Sequence, residues 1–154
     1  MLPKKHIIYG AIFSLILFLI FPSITIFSAI LIFLSAVLID ADHFILYVYE
    51  KKDFSLKKAD KWFRSHGNAL SNLSKKEQSK YKSRIFLFHG IEFWIVLTIL
   101  SFINKIFLWI LIGILFHMSL DWTYAYRKKE PMNQKISQIY NYIRNQNTNL
   151  KSLN

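Results

Sequence analysis

The stretch Leu38-Ile39-Asp40-Ala41-Asp42-His43 places two carboxylates and an imidazole at the end of an apolar run that begins near Ile24. Every residue from Phe27 to Ile39 is apolar or small, so the run is long enough to enter a bilayer. A charged Asp at the centre of a membrane helix costs about 2.5–3.5 kcal/mol on insertion scales. Two carboxylates within three residues also repel each other unless a proton or a cation intervenes. A bound cation is the simplest compensation. Two further apolar segments carry groups of the same kind, His89 with Glu92 and His117 with Asp121.

The composition agrees with a membrane protein. Hydrophobic residues make up 53% of the 154, and they fall in blocks rather than at amphipathic spacing. The formal charge of +11 would suggest nucleic acid in a soluble protein. Here the basic residues lie between apolar blocks, so they read as topology signals and as a face for anionic headgroups of membrane lipids, with no nucleic-acid partner. With no cysteine in the chain, a metal would have to be held by His and carboxylates.

Read in order, the chain predicts an all-α integral membrane bundle of four transmembrane helices. Lys4 and Lys5 precede a first helix over about 6–21, with no small-x-small cleavage site after it. Pro22-Ser23 turns the chain into a second helix over about 24–49, which runs through Asp40–His43. Residues 51–84 form a cytoplasmic loop with eleven Lys or Arg and three acids. Phe54, Leu56, Trp62 and Phe63 give that loop an apolar side suited to a short interfacial helix, and His66 reads as solvated. Ser74 and Glu77 have capping-box spacing and would start a helix leading into the third span, about 85–103. Asn104-Lys105 turns into the fourth span, about 106–126, which Arg127-Lys128-Lys129 and Pro131 stop. Trp94, Trp109 and Trp122 read as lipid-facing or packing residues. Residues 1–126 thus form the membrane domain and 127–154 a cytoplasmic tail, with Ile136, Ile139, Tyr140 and Ile143 at amphipathic helical spacing and a frayed end. Nineteen of the twenty basic residues fall in the N-terminus, the 51–84 loop and the tail. A multi-pass protein of the cell membrane with both termini in the cytoplasm satisfies the positive-inside rule.

That topology puts His6, Asp40, Asp42, His43, His89, Glu92, His117 and Asp121 in one half of the bilayer. His117 and Asp121 are separated by i,i+4, and His89/Glu92 and Asp40/His43 by i,i+3, so each pair shares a helix face. Asp42 points elsewhere on a regular helix and joins only if the helix is distorted or a second ion is present. These eight are the candidate metal ligands, for one divalent ion or two. His and carboxylate donors without thiolates suit Zn, Mn or Fe, and bridging carboxylates suit a two-metal centre. The plainer alternative is hydrogen bonding that only holds the helices together, a task that usually falls to Ser, Thr or Asn.

The chain resembles the YdjM-like family of membrane-bound, metal-dependent hydrolases. The likeness is carried by His6 near the start of the first helix, by Asp40-Ala41-Asp42-His43, by His89 and by His117-Met118-Ser119-Leu120-Asp121. Ile39 stands where that family has proline, and the family's second His-containing motif is reduced here to His89-Gly90-Ile91-Glu92. The resemblance implies a metal-dependent hydrolase, and the site's position at the cytoplasmic face suggests a lipid or lipid-linked phosphoester as its substrate. Asp121 and Glu92 would then be the candidate catalytic residues, Glu92 as ligand or general base. The rival is a non-catalytic membrane protein with a structural metal site, whose basic loop binds a partner or anionic lipid.

Overall fold

The protein was analysed as a computed structural model that describes residues 3–129 and 136–152. The described residues are all-helical, apart from one isolated parallel bridge between Tyr81 and Lys151. The order is α1 (Pro3–Ile20), α2 (Ile26–Leu38), α3 (Ala41–Lys51), α4 (Leu56–Ser71) and α5 (Lys75–Gln78). A 3-10 turn follows at Leu87–His89, then α6 (Ile91–Ser101), α7 (Lys105–Arg127) and α8 (Gln138–Asn145). Two helical runs are long and apolar enough to cross a membrane, the 26 residues Ile26–Lys51 and the 23 residues of α7. At 1.5 Å per residue α7 extends about 35 Å, more than the roughly 30 Å of a hydrocarbon core.

The chain divides into two compact units. One comprises Met1–Asp40 and Phe93–Tyr124, the other Ala41–Glu92 and Ala125–Asn154. In the first, Thr25 caps α2 by accepting from the Ser28 amide, as a threonine ahead of an apolar helix should. Ile24, Ala29 and Ile32 form the core, with Phe13, Leu17, Phe18, Trp109 and Ile112 packed around it. Phe13 of α1 stacks on Phe116 of α7 at 3.9 Å between centroids. Gly113 allows α7 to approach α2 closely: a Cβ there would overlap the Ile32 carbonyl and the Ser35 hydroxyl and lie 3.1 Å from the Ala36 amide. Trp94 and Trp122 face each other at 5.7 Å.

The second unit is built around aromatic stacking. Trp62 and Phe63 of α4 turn inward, Trp62 against Tyr47 and Phe63 against His43 and Phe86. The Arg84 guanidinium lies 4.1 Å from the Trp62 ring centroid, and burial lowers its pKa from the usual arginine value. His66 is buried rather than solvated, with Nδ1 donating to the Trp62 carbonyl at 2.7 Å. Its i−4 carbonyl and the Trp62 ring supply what water would have supplied.

Three expected boundaries differ. The second helix is interrupted at Ile39–Asp40 instead of running unbroken to Tyr49. The capping box at Ser74 and Glu77 forms, but its helix ends at Gln78. Residues 80–86 stay irregular because α8 and Lys151 take their backbone groups. Lys82 donates to the Lys151 carbonyl, Lys151 to the Lys80 carbonyl, the Ser83 amide to Asn145 and the Phe86 amide to Gln138. The third helix is therefore short: Gly90 is extended (φ −96°, ψ 151°), and α6 starts after it. The same bonds hold the C-terminal segment in place as far as Lys151, where fraying was expected. The stop at Pro131 lies outside the described residues.

Candidate metal centre

In the first unit, helix positions 6, 40, 117 and 121 converge. His6 sits on the first turn of α1, Asp40 just past the end of α2, and His117 and Asp121 one turn apart on α7. His6 Nε2 lies 3.2 Å from Asp121 Oδ1, and His117 Nε2 lies 3.5 Å from Asp40 Oδ1 and 3.8 Å from Asp121 Oδ2. The two imidazoles stack, with centroids 3.9 Å apart. Ligand atoms of His6, Asp40 and His117 fall within 4.8 Å of one another, close enough to hold a metal ion.

The hydrogen bonding at His117 sharpens this. Its Nδ1 lies 2.8 Å from the Ala36 carbonyl oxygen. A carbonyl can only accept, so Nδ1 carries a proton and donates it. In the neutral ring Nε2 then presents its lone pair to the carboxylates of Asp40 and Asp121. Lone pair against carboxylate is repulsive without a cation or a proton between them. Backbone anchoring of one ring nitrogen while the other faces the ion is how metal-binding histidines are oriented. Spacing agrees as well: donors about 2.0–2.2 Å from one ion stand roughly 3.3–3.6 Å apart in a tetrahedron. His6 is 1% exposed, and among the described residues neither ring nitrogen meets hydrogen-bond geometry, although Nε2 is near Asp121. The donor set fits a divalent ion. Asp40 is the open side of the group, its side chain 25% exposed against 7% for Asp121.

Asp42, His43 and His89 lie in the second unit. Asp42 opens α3, and its Oδ2 accepts from His89 Nδ1 at 3.1 Å and from the Phe88 amide at 3.2 Å. Since a carboxylate accepts, His89 also carries its proton on Nδ1 and turns Nε2 outward from the pair as the potential donor to a metal. Asp42 thereby orients His89 and pins the 3-10 turn. His43 stacks on Phe86 at 3.9 Å, with its Nε2 4.0 Å from Asp42 Oδ1. The break in the helix at Ile39–Asp40 is the distortion that Asp42 required for a role of any kind.

Glu92 has other employment. Its carboxylate accepts from the Ser137 hydroxyl and from the amides of Gln138 (3.1 Å) and Ile139 (3.0 Å), which caps the N-terminus of α8. A carboxylate is favoured there by the orphan amides and the helix dipole. Gly90 is required beside it, since a Cβ would overlap the Glu92 carboxylate and the Gln138 side chain.

Sequence reasoning overlooked the Ala36 carbonyl and Ser137. A backbone carbonyl has no side-chain signature; Gly113, four residues before His117 and on its face, was the available hint of close helix approach. Comparison with family models, with curated proteins and with solved structures found no match to this chain.

Proposed function

We propose that this chain is a membrane-embedded, metal-dependent hydrolase whose centre lies toward the cytoplasmic face and acts on a lipid or lipid-linked phosphoester. The observation that carries the reading is His117, held by Ala36 so that Nε2 faces two carboxylates in an apolar helix. His6, Asp40, His117 and Asp121 hold the ion, Zn in first place and Mn or Fe next. Such an ion lowers the pKa of bound water toward about 7 and polarises a phosphoester oxygen. Asp40, as the exposed member, borders the path by which a substrate reaches the centre. Asp121 contributes to catalysis as a ligand, and Glu92 supplies neither a ligand nor a general base, because its carboxylate is committed to α8. The motif order that resembles the YdjM-like hydrolases supports the same reading.

In the proposed topology α1, Ile26–Lys51, the segment containing α6, and α7 are the four spans, with both termini in the cytoplasm. The support is the charge distribution, with Lys105 alone outside the cytoplasmic segments. The basic residues of 51–84 attract anionic headgroups of the cytoplasmic leaflet. The near-complete burial of His6, His117 and Asp121 favours a second reading, a closed structural site.

Metal analysis of the detergent-purified chain tests the proposal. The wild type should carry bound divalent metal, losing it on acidification because His must be neutral and Asp ionised to bind. Asp121→Asn should lose at least one ion per chain. Equal metal content in both, or none in either, overturns the reading. Metal that is present but admits no exogenous anion to its coordination sphere favours the structural alternative.

A further inference from the structure

The helix α8 is built inside out. Its polar residues are the buried ones: Asn141 is 0% exposed and Gln138 7%. Arg144 donates to the Ser83 hydroxyl (2.7 Å) and to the Ser79 and Tyr81 carbonyls (2.6 and 2.9 Å). Asn145 receives the Ser83 amide at 2.9 Å and donates to its carbonyl at 2.6 Å. Within the helix Ile139, Tyr140 and Ile143 lie at i, i+1 and i+4 and form one stripe, exposed at 59%, 50% and 64%, and Ile136, ahead of the helix, is exposed as well. A helix packed on a protein in water turns such a stripe inward. This one turns Gln138, Asn141, Arg144 and Asn145 toward the protein and directs its isoleucines outward, which is favourable only against an apolar phase.

The charge of the same unit says which phase. Ala41–Glu92 and Ala125–Asn154 hold seventeen of the twenty Lys and Arg but seven of the nine acids, so this unit carries nearly all of the positive charge. A second copy of so basic a unit would be repelled, whereas anionic headgroups are attracted. The unit also contains the ends of the two apolar runs, Lys51 and Arg127, which bring a bilayer within reach of it. An apolar stripe with Tyr at its edge and Lys and Arg in the surrounding sequence is what an in-plane interfacial helix requires.

We infer that α8 is an interfacial helix that docks its Ile139–Ile143 face into an anionic leaflet and so holds residues 79–92, including His89, at the membrane surface. The inference rests on the membrane reading above, and the experiment separates the two. The chain has no cysteine, so a single nitroxide-labelled cysteine can be placed at Ile139, Ile143, Thr148 or Leu115 of the full-length protein. All four positions are exposed, and labelling there leaves the packing intact. The protein is reconstituted in phosphatidylcholine vesicles with and without phosphatidylglycerol. Collision with lipid-soluble oxygen against a water-soluble nickel chelate then reports depth. Labels at 139 and 143 should favour oxygen several-fold over the label at 148, and more so with phosphatidylglycerol. Labels at 139 and 143 that match 148 in water access overturn the inference, as does shielding from both agents, which means a second copy covers the face. Leu115 is the control: lipid contact there with water access at 143 sinks the docking of α8 alone, and water access at 115 sinks the membrane reading.

Discussion

Replacing Gly113 with alanine tests the packing that aims His117. The added Cβ meets the Ile32 carbonyl and the Ser35 hydroxyl at overlap distance, with the Ala36 amide 3.1 Å away. The Ser35 side chain could rotate away, but the carbonyl is backbone and cannot. Relief therefore requires α7 to withdraw from α2 by roughly 1 Å to restore an ordinary contact. Overpacking of this kind costs about 1–3 kcal/mol. On the scale of domains this size that is about 2–4 °C of thermal stability per kcal/mol. Residue 117 lies one turn beyond 113 on the same face, so the withdrawal also stretches the 2.8 Å bond to Ala36 beyond hydrogen-bonding range. Loss of such an orienting partner typically costs about 10–100-fold in metal affinity. Differential scanning in detergent and a competitive metal titration read the two effects. Gly113→Ala should be less stable and bind metal more weakly, and adding Ser35→Ala should restore neither in full, because the Ile32 carbonyl remains. A variant with wild-type stability and affinity refutes the close approach. Full rescue by Ser35→Ala shows that the carbonyl is not the obstacle.

The Glu92→Gln change should free α8 without touching the metal. It removes the charge and one acceptor from the three-donor cap, at about 0.5–1.5 kcal/mol for hydrogen bonds lost at a partly exposed site, so hydrogen exchange at Gln138–Asn145 should accelerate while metal content holds; metal loss with slow exchange would return Glu92 to the ligand set. A topology reporter inserted near Gly67 and another fused after Asn154 should both report cytoplasm, and an outward report from either breaks the four-span arrangement.

Where the sequence carried periodicity and charge, it was legible. Apolar blocks predicted helices, and the Ser74–Glu77 spacing predicted a cap that forms with both of its bonds. The residues His6, Asp40, His117 and Asp121 are brought together in one unit, whereas the helix-face pairing had put Asp40 with His43. Long-range hydrogen bonding was not legible. Nothing local in Glu92 marks it as the cap of a helix that starts at Gln138, and nothing in Ile136, Ile139 and Ile143 says which side of their helix will face the protein. That sidedness is set by Arg144 and Asn145 finding the carbonyls and amide of residues 79–83. Trp62 and Phe63 illustrate the same limit: an apolar side was evident, but not that these two residues would pack on Tyr47, His43 and Phe86.

The Asp-Ala-Asp-His motif shows how a local break assigns chemistry. On an unbroken helix residues 40 and 42 stand about 200° apart at 100° per residue, so they could not both contribute to one face. The chain instead ends α2 at Leu38 and begins α3 at Ala41. Asp40, between the two helices, lies 3.5 Å from His117 Nε2 through its Oδ1. Asp42, in the first turn of α3, spends its Oδ2 on the Phe88 amide and His89. One carboxylate thus lies beside His117 and the other orients an imidazole. The two should respond differently to amide substitution. Asp40→Asn removes a charged donor, so bound metal should fall outright. Asp42→Asn keeps an acceptor for His89 Nδ1 but weakens it, so hydrogen exchange at the Phe88 and His89 amides should accelerate while bound metal holds. Equal losses from both variants would mean that the break does not divide their roles.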